Sequence, residues 1–212
     1  MDQLLLHHCP NSRSTGVLAL LEALQAPYAL HVMNMKRGDN RAPAYLAINP
    51  MGKVPAIEHN GVLVTEQVAI YLYLADLFPA AGLAPPLGDP QRGPYLRWMA
   101  FYGSCFEPAL VDRWMQRAPV DKATNGYGDF DDVFNTVVTQ LARGPWLLGE
   151  RFSALDVLWG TALGWMGGLL PKRPEIDAYV ARVQGHPAIA AARHKDQDLA
   201  AAQAEQAASD PG

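Results

Sequence analysis

The sequence predicts two segregated domains: an α/β domain of βαβαββα order over residues 1–79, and an all-helical domain over residues 94–199. Three observations predict this. Short apolar runs alternate with helical periodicity as far as Phe78. A Pro/Gly-rich segment follows, from Pro79 to Pro94, and reads as a linker over 80–93. Beyond it only helical spacing recurs.

The elements follow in order. Residues 3–7, Q-L-L-L-H, read as a short buried strand, and Pro10 to Ser12 as a turn. Val17, Leu20, Leu21 and Leu24 then share a helical face, widened by Leu18. Tyr28 to Met33 reads as a second strand, and Ala42 to Leu46 as one short helix in a polar stretch. Val54 to His59 and Val62 to Val64 flank Asn60-Gly61, the dipeptide of a two-residue hairpin. From Glu66 the period becomes helical, with Val68, Tyr71, Leu72, Ala75 and Phe78 on one face.

In the second domain the faces are Tyr95, Trp98, Met99, Tyr102 and Phe106, then Phe134, Val137, Val138 and Leu141. Leu158, Thr161, Ala162 and Trp165 follow, then Ile176, Tyr179, Val180 and Val183. Ser153 and Asp156 have capping-box spacing, which marks a helix start and assigns Asp156 to folding rather than catalysis. The Ala/Gln-rich residues 200–212 are expected to fray.

Composition narrows the function. Half of the 212 residues are hydrophobic, enough for sizeable cores, and the net charge of -4 argues against nucleic-acid binding. Two cysteines are no disulfide framework and suggest a reducing compartment. The start of the chain lacks a basic region before its short apolar run, and no apolar stretch is long enough for a membrane span. These features predict a cytoplasmic protein without a membrane or nucleic-acid partner. His7 and His8 are neighbours, so on a strand they face opposite ways, and no metal site is expected.

Four segments, spread over nearly the whole chain, resemble the cytosolic glutathione transferase family, of bacterial type with Ser or Cys rather than Tyr. They are Leu4 to Leu24 with its C-P-N-S-R-S turn, N-P-M-G-K-V-P-A-I from Asn49 to Ile57, L-V-T-E-Q-V-A-I-Y-L-Y-L-A from Leu63 to Ala75, and W-L-L-G-E-R-F-S-A-L-D-V from Trp146 to Val157. R-W-M-A-F-Y near Trp98 is a weaker match. The resemblance implies a thioredoxin-like first domain, glutathione as co-substrate, a small apolar electrophile, a homodimer and a role in detoxification.

It also implies residue roles. Pro55 would be cis, presenting the backbone of Val54 to the cysteinyl part of glutathione. Lys53 would reach the glycyl end. Glu66 and Gln67, at a helix start, would hold the γ-glutamyl end, where free N–H groups and the helix dipole favour a carboxylate. The family usually has Glu-Ser there, and Gln67 replaces the serine.

Glutathione transfer needs a thiolate, whereas a free thiol titrates at about 8.5. Each pKa unit of lowering takes about 1.4 kcal/mol. Hydrogen-bond donors at the first helix start would supply it, and the turn offers Cys9, Asn11, Ser12, Arg13 and Ser14, with no tyrosine. Aligning on the strand favours Cys9; aligning on the helix favours Asn11 or Ser12. Ser12, the hydroxyl nearest the helix start, is the expected donor to the sulfur, with Asn11 among the glutathione-binding residues, although a serine there also suits a plain cap. Cys9 in C-P-x-S would instead form a mixed disulfide with glutathione, giving reductase or peroxidase activity, although a free cysteine at a strand end is often just buried. A non-enzymatic ligand binder is the third reading, kept open by Gln67. Tyr102 and Trp114 are the expected walls of an electrophile site, although an aromatic stripe is more often core.

Overall fold

A computed structural model describes residues 4–209. Four strands form one sheet in the order β2-β1-β3-β4, from β1 (Leu4–His8), β2 (Ala29–Val32), β3 (Ala56–His59) and β4 (Val62–Thr65). β1 pairs parallel to β2 and antiparallel to β3, and β3 pairs antiparallel to β4. The parallel pair needs a crossover, supplied by α1 (Ser14–Leu24). The β3–β4 turn has φ of 52° at Asn60 and 81° at Gly61, the left-handed pair that Asn-Gly favours. With α2 (Pro43–Ile48) between β2 and β3, and α3 (Gln67–Leu77) after β4, the order is the predicted βαβαββα. Gln3, the first residue of the expected strand, lies outside the described residues.

α1 is buried along Val17, Leu18, Leu20, Leu21 and Leu24, as its spacing requires. Tyr71 of α3 is fully buried and donates its hydroxyl to the Gly16 carbonyl at 2.5 Å. That bond fixes α3 against the first turns of α1.

The helical unit contains α4 (Arg92–Phe101), α5 (Glu107–Trp114), α6 (Phe130–Leu141), α7 (Ala154–Trp165) and α8 (Pro174–Gln184). α7 is buried on all sides from Ala154 to Gly160, which makes it the core helix. Gly160 permits its close approach to α8: a Cβ there would meet Val183 side-chain atoms at 2.5 Å. Between α4 and α5, Tyr102–Phe106 is a π-helical stretch in which the Glu107 N–H reaches back to the Tyr102 carbonyl. Pro108, lacking an N–H, follows at once and leaves the regular ladder without a donor there.

Three expectations about the domains change. The chain divides between Ala81 and Gly82, inside the expected linker, and residues from Gly82 belong to the helical unit. The reason is local pinning: the Leu83 carbonyl accepts the Ala154 N–H at 2.8 Å, and the Pro85 carbonyl accepts from Arg92 at 3.0 Å. The helical unit ends at Gly185, not at residue 199, because α9 (Pro187–Ser209) belongs with the sheet unit, where it packs on α1. Nor does the chain fray from residue 200. Ala, Gln and Glu are strong helix formers, and Gln203 donates to the Met33 carbonyl at 3.0 Å, so α9 continues to Ser209. The rest of the expected frayed segment, 210–212, lies outside the described residues. None of the described helices is long and apolar enough to cross a membrane.

Candidate functional site

The turn from Cys9 to Arg13 carries the chain from β1 into α1. At the strand end the His8 carbonyl accepts the Met33 N–H at 2.8 Å, which ties β1 to β2. Cys9 is buried, its N–H donates to Ser14 Oγ at 3.0 Å, and its thiol faces the Pro10 carbonyl at 3.6 Å. That is the setting of a small buried residue.

Ser12 Oγ donates to the Cys9 carbonyl at 2.7 Å, accepts the Ser14 N–H at 3.2 Å and lies 2.8 Å from Ser14 Oγ. A hydroxyl has one proton, and here it serves the turn. Asn11 differs. Its backbone is left-handed, at φ 57°, and its N–H donates to Asp196 Oδ2 at 3.0 Å. Its side chain is exposed, and no hydrogen bond engages the amide among the described residues.

Around the hairpin, Val54-Pro55 is cis, as the resemblance implies. The β1–β3 ladder stops at Ala56, so Val54 lies beyond it. The Lys53 carbonyl accepts from Tyr45 Oη at 2.6 Å and Asn49 Nδ2 at 2.9 Å, which fixes the backbone while the side chain stays exposed. Glu66, the N-cap of α3, is held at φ 66° and makes no side-chain cap bond. Such a conformation in a non-glycine residue costs about 1–3 kcal/mol and concentrates at functional sites.

Gln67 Nε2 donates to the Arg13 carbonyl at 3.3 Å. This contact brings the N-termini of α1 and α3 together. Neither helix has an acidic residue in its first turn; the carboxylates beside them are Glu66, the N-cap of α3, and Asp196, which meets the start of α1. Gln67 Oε1 is buried and has no hydrogen-bond partner among the described residues.

The two histidines of β1 face opposite ways. His7 donates through Nε2 to Glu58 at 2.8 Å and its Nδ1 lies 2.8 Å from His31 Nδ1. Burial lowers the pKa of His7 although Glu58 opposes the shift. His8 points to the other face, where Nδ1 lies 2.9 Å from Ser14 Oγ and Nε2 lies 3.1 Å from Asp196 Oδ1. The sequence reading missed Asp196 and Thr15, and gave Ser14 no role beyond its place in the turn. Asp196 sits seven residues after Ile189, on the same helical stripe as Ala192, but its charge keeps the position out of an apolar pattern.

In the helical unit Tyr102 is 1% exposed and packs against Phe106 and Trp159. It is a core residue, which corrects its expected place on a ligand wall. Trp114, on α5, is 64% exposed.

Residues 1–76 match the family model "Glutathione S-transferase, N-terminal domain", and residues 121–191 match "Glutathione S-transferase, C-terminal domain". A glutathione transferase from Methylococcus capsulatus is 32% identical, with a TM-score of 0.78 covering 92% of this chain and 98% of that one. The chain belongs to the glutathione S-transferase family. Its fold is that of the family, with a thioredoxin-like unit and a helical unit, and it is a transferase. A sphingomonad glutathione S-transferase solved with glutathione is 29% identical, with a TM-score of 0.75 over 91% of this chain and 98% of that one. Glutathione S-transferase PARB of Nicotiana tabacum is 25% identical over 201 residues, 86% of this chain and 93% of its own length.

Proposed function

We propose that this glutathione transferase binds glutathione across the paired N-termini of α1 and α3 and conjugates its thiolate to a small apolar electrophile. The observation that carries the reading is the Gln67–Arg13 contact, which joins two helix N-termini with no acidic residue in their first turns. One dipole end suits a carboxylate and the other a thiolate. Lys53 and the Val54 backbone bind the glycyl and cysteinyl parts, and the Glu66 carboxylate holds the ammonium. Trp114 contributes to the electrophile site.

Of the three candidates in the turn, Asn11 has the best support as donor to the sulfur. Its amide has two N–H groups and no competing hydrogen bond among the described residues. Ser12 must first leave the Cys9 carbonyl. The redox reading has less support, because Cys9 is buried and its thiol is turned to Pro10. We also carry over from the family a cytoplasmic homodimer acting in detoxification.

The test is conjugation of glutathione to an aryl halide by the wild type, Asn11→Ala and Ser12→Ala. Asn11→Ala should cut kcat/KM by about tenfold or more, some 1.4 kcal/mol of transition-state stabilisation, and leave glutathione affinity within about threefold. Ser12→Ala should lose less. The reverse order would return the role to Ser12. A wild type that neither binds nor conjugates glutathione would reject the function.

A further inference from the structure

α9 buries only three residues, Ile189, Ala192 and Asp196, along one stripe. The third position of an apolar stripe is held by a carboxylate that is 4% exposed. A buried charge is tolerated only when paired and hydrogen-bonded, and the partners of Asp196 are informative. Its Oδ2 accepts the Asn11 N–H at 3.0 Å, and its Oδ1 accepts the Thr15 hydroxyl at 2.7 Å and lies 3.1 Å from His8 Nε2. One carboxylate therefore touches the end of β1, the middle of the turn and the first turn of α1.

The contacts continue inward. His8 Nδ1 lies 2.9 Å from Ser14 Oγ, which accepts the Cys9 N–H and lies 2.8 Å from Ser12 Oγ. Burial alone would raise the Asp196 pKa, yet the nearby His8 imidazole and the hydrogen bonds from Thr15 and Asn11 outweigh it and hold the carboxyl below its ordinary value.

We propose that Asp196 is a positioning residue for glutathione ionisation, holding Asn11 in its left-handed conformation so that the amide is presented to the sulfur. The inference rests on the glutathione-conjugating function proposed above and extends it to a residue of the last helix. Asp196 does not touch the thiol; it acts through the Asn11 backbone. Its own negative charge opposes a nearby thiolate. Removing it therefore has two effects of opposite sign: loss of charge favours the thiolate, and loss of positioning disfavours it.

The experiment measures the apparent pKa of enzyme-bound glutathione by thiolate ultraviolet absorbance, with kcat and KM, in the wild type, Asp196→Ala, Asp196→Asn and Lys195→Ala. Lys195 is the neighbouring α9 tie, bonded to Glu22 and Tyr28. It reports what loosening α9 does without touching the turn.

In Asp196→Ala the bound-thiol pKa should rise by about 0.5 or more. kcat at neutral pH should fall by about fivefold or more, with KM for glutathione within about threefold. Asp196→Asn, with one acceptor oxygen, should fall between Asp196→Ala and the wild type. Lys195→Ala should lose melting temperature alone. An unchanged or lowered thiol pKa in the Asp196 variants would overturn the proposal, as would an equal rise in Lys195→Ala. If Asp196→Ala does not fold, Asp196→Asn decides by the same rise or its absence. Absence of any bound thiolate in the wild type would defeat the glutathione function itself, and that result is read before any variant.

Discussion

Asp156 is held by four donors and buried enough to be titrated by its surroundings. Its Oδ1 accepts the Leu147 N–H and the Tyr179 hydroxyl, both at 2.9 Å. Its Oδ2 accepts the Ser153 N–H at 2.9 Å and the Ser153 hydroxyl at 3.1 Å. Burial pushes its pKa up and the four donors pull it back only partly, leaving it at about 6 against an ordinary 3.8. A difference of about two pKa units corresponds to about 3 kcal/mol. Because the folded-state value is the higher one, the folded protein binds more protons between about pH 4 and 6. The contribution of Asp156 to stability is therefore greatest below about pH 4, falls as pH rises, and is flat above about 6.

Asp156→Asn removes that slope. The amide oxygen can keep Leu147 and Tyr179, but the nitrogen opposes the Ser153 N–H, and an unsatisfied buried donor costs about 1–3 kcal/mol. Urea unfolding of both proteins from about pH 4 to 7 isolates the residue, because Glu22, Asp112 and Asp196, all with lowered pKa, contribute the opposite slope equally to both. The variant should be the less stable by about 1–3 kcal/mol near pH 4, and the gap should close by up to about 3 kcal/mol by pH 7. A gap that widens with pH would refute the reasoning, because it would mean that the four donors stabilise the anion more than burial penalises it.

Three further outcomes follow from particular contacts. Gly160→Ala drives a methyl group into Val183 at 2.5 Å and should cost about 1–3 kcal/mol in urea unfolding, recovered in part by Val183→Ala. Tyr71→Phe deletes the bond to the Gly16 carbonyl and should cost about 1 kcal/mol by the same measurement. Gln67→Ala, by calorimetry, should weaken glutathione binding by about tenfold, some 1.4 kcal/mol, because it removes the amide that ties the start of α3 to the Arg13 carbonyl; an affinity within about threefold of the wild type would show that this contact does not hold the site.

Much of the fold was legible because its signals are local. The periodicity of α1, the Asn60-Gly61 turn and the Ser153–Asp156 spacing each encode one element within a few residues. What escaped the sequence depends on distant contacts. The membership of α9 in the sheet unit turns on Ile189, Ala192 and Asp196 meeting α1 and the turn before it, and a charge at the third position hides that stripe from a periodicity search. Tyr102 and Trp114 are both aromatic, but one lies among Phe106 and Trp159 and the other is open. Spacing alone cannot separate these states. The choice between Ser12 and Asn11 is subtler still, because it turns on where one hydroxyl proton goes. The Cys9 carbonyl takes it at 2.7 Å, within a turn whose shape also depends on Ser14, His8 and a carboxylate 185 residues beyond Asn11. Residue type nominated the turn, and the hydrogen bonds within it support the amide over the hydroxyl for the proposed role.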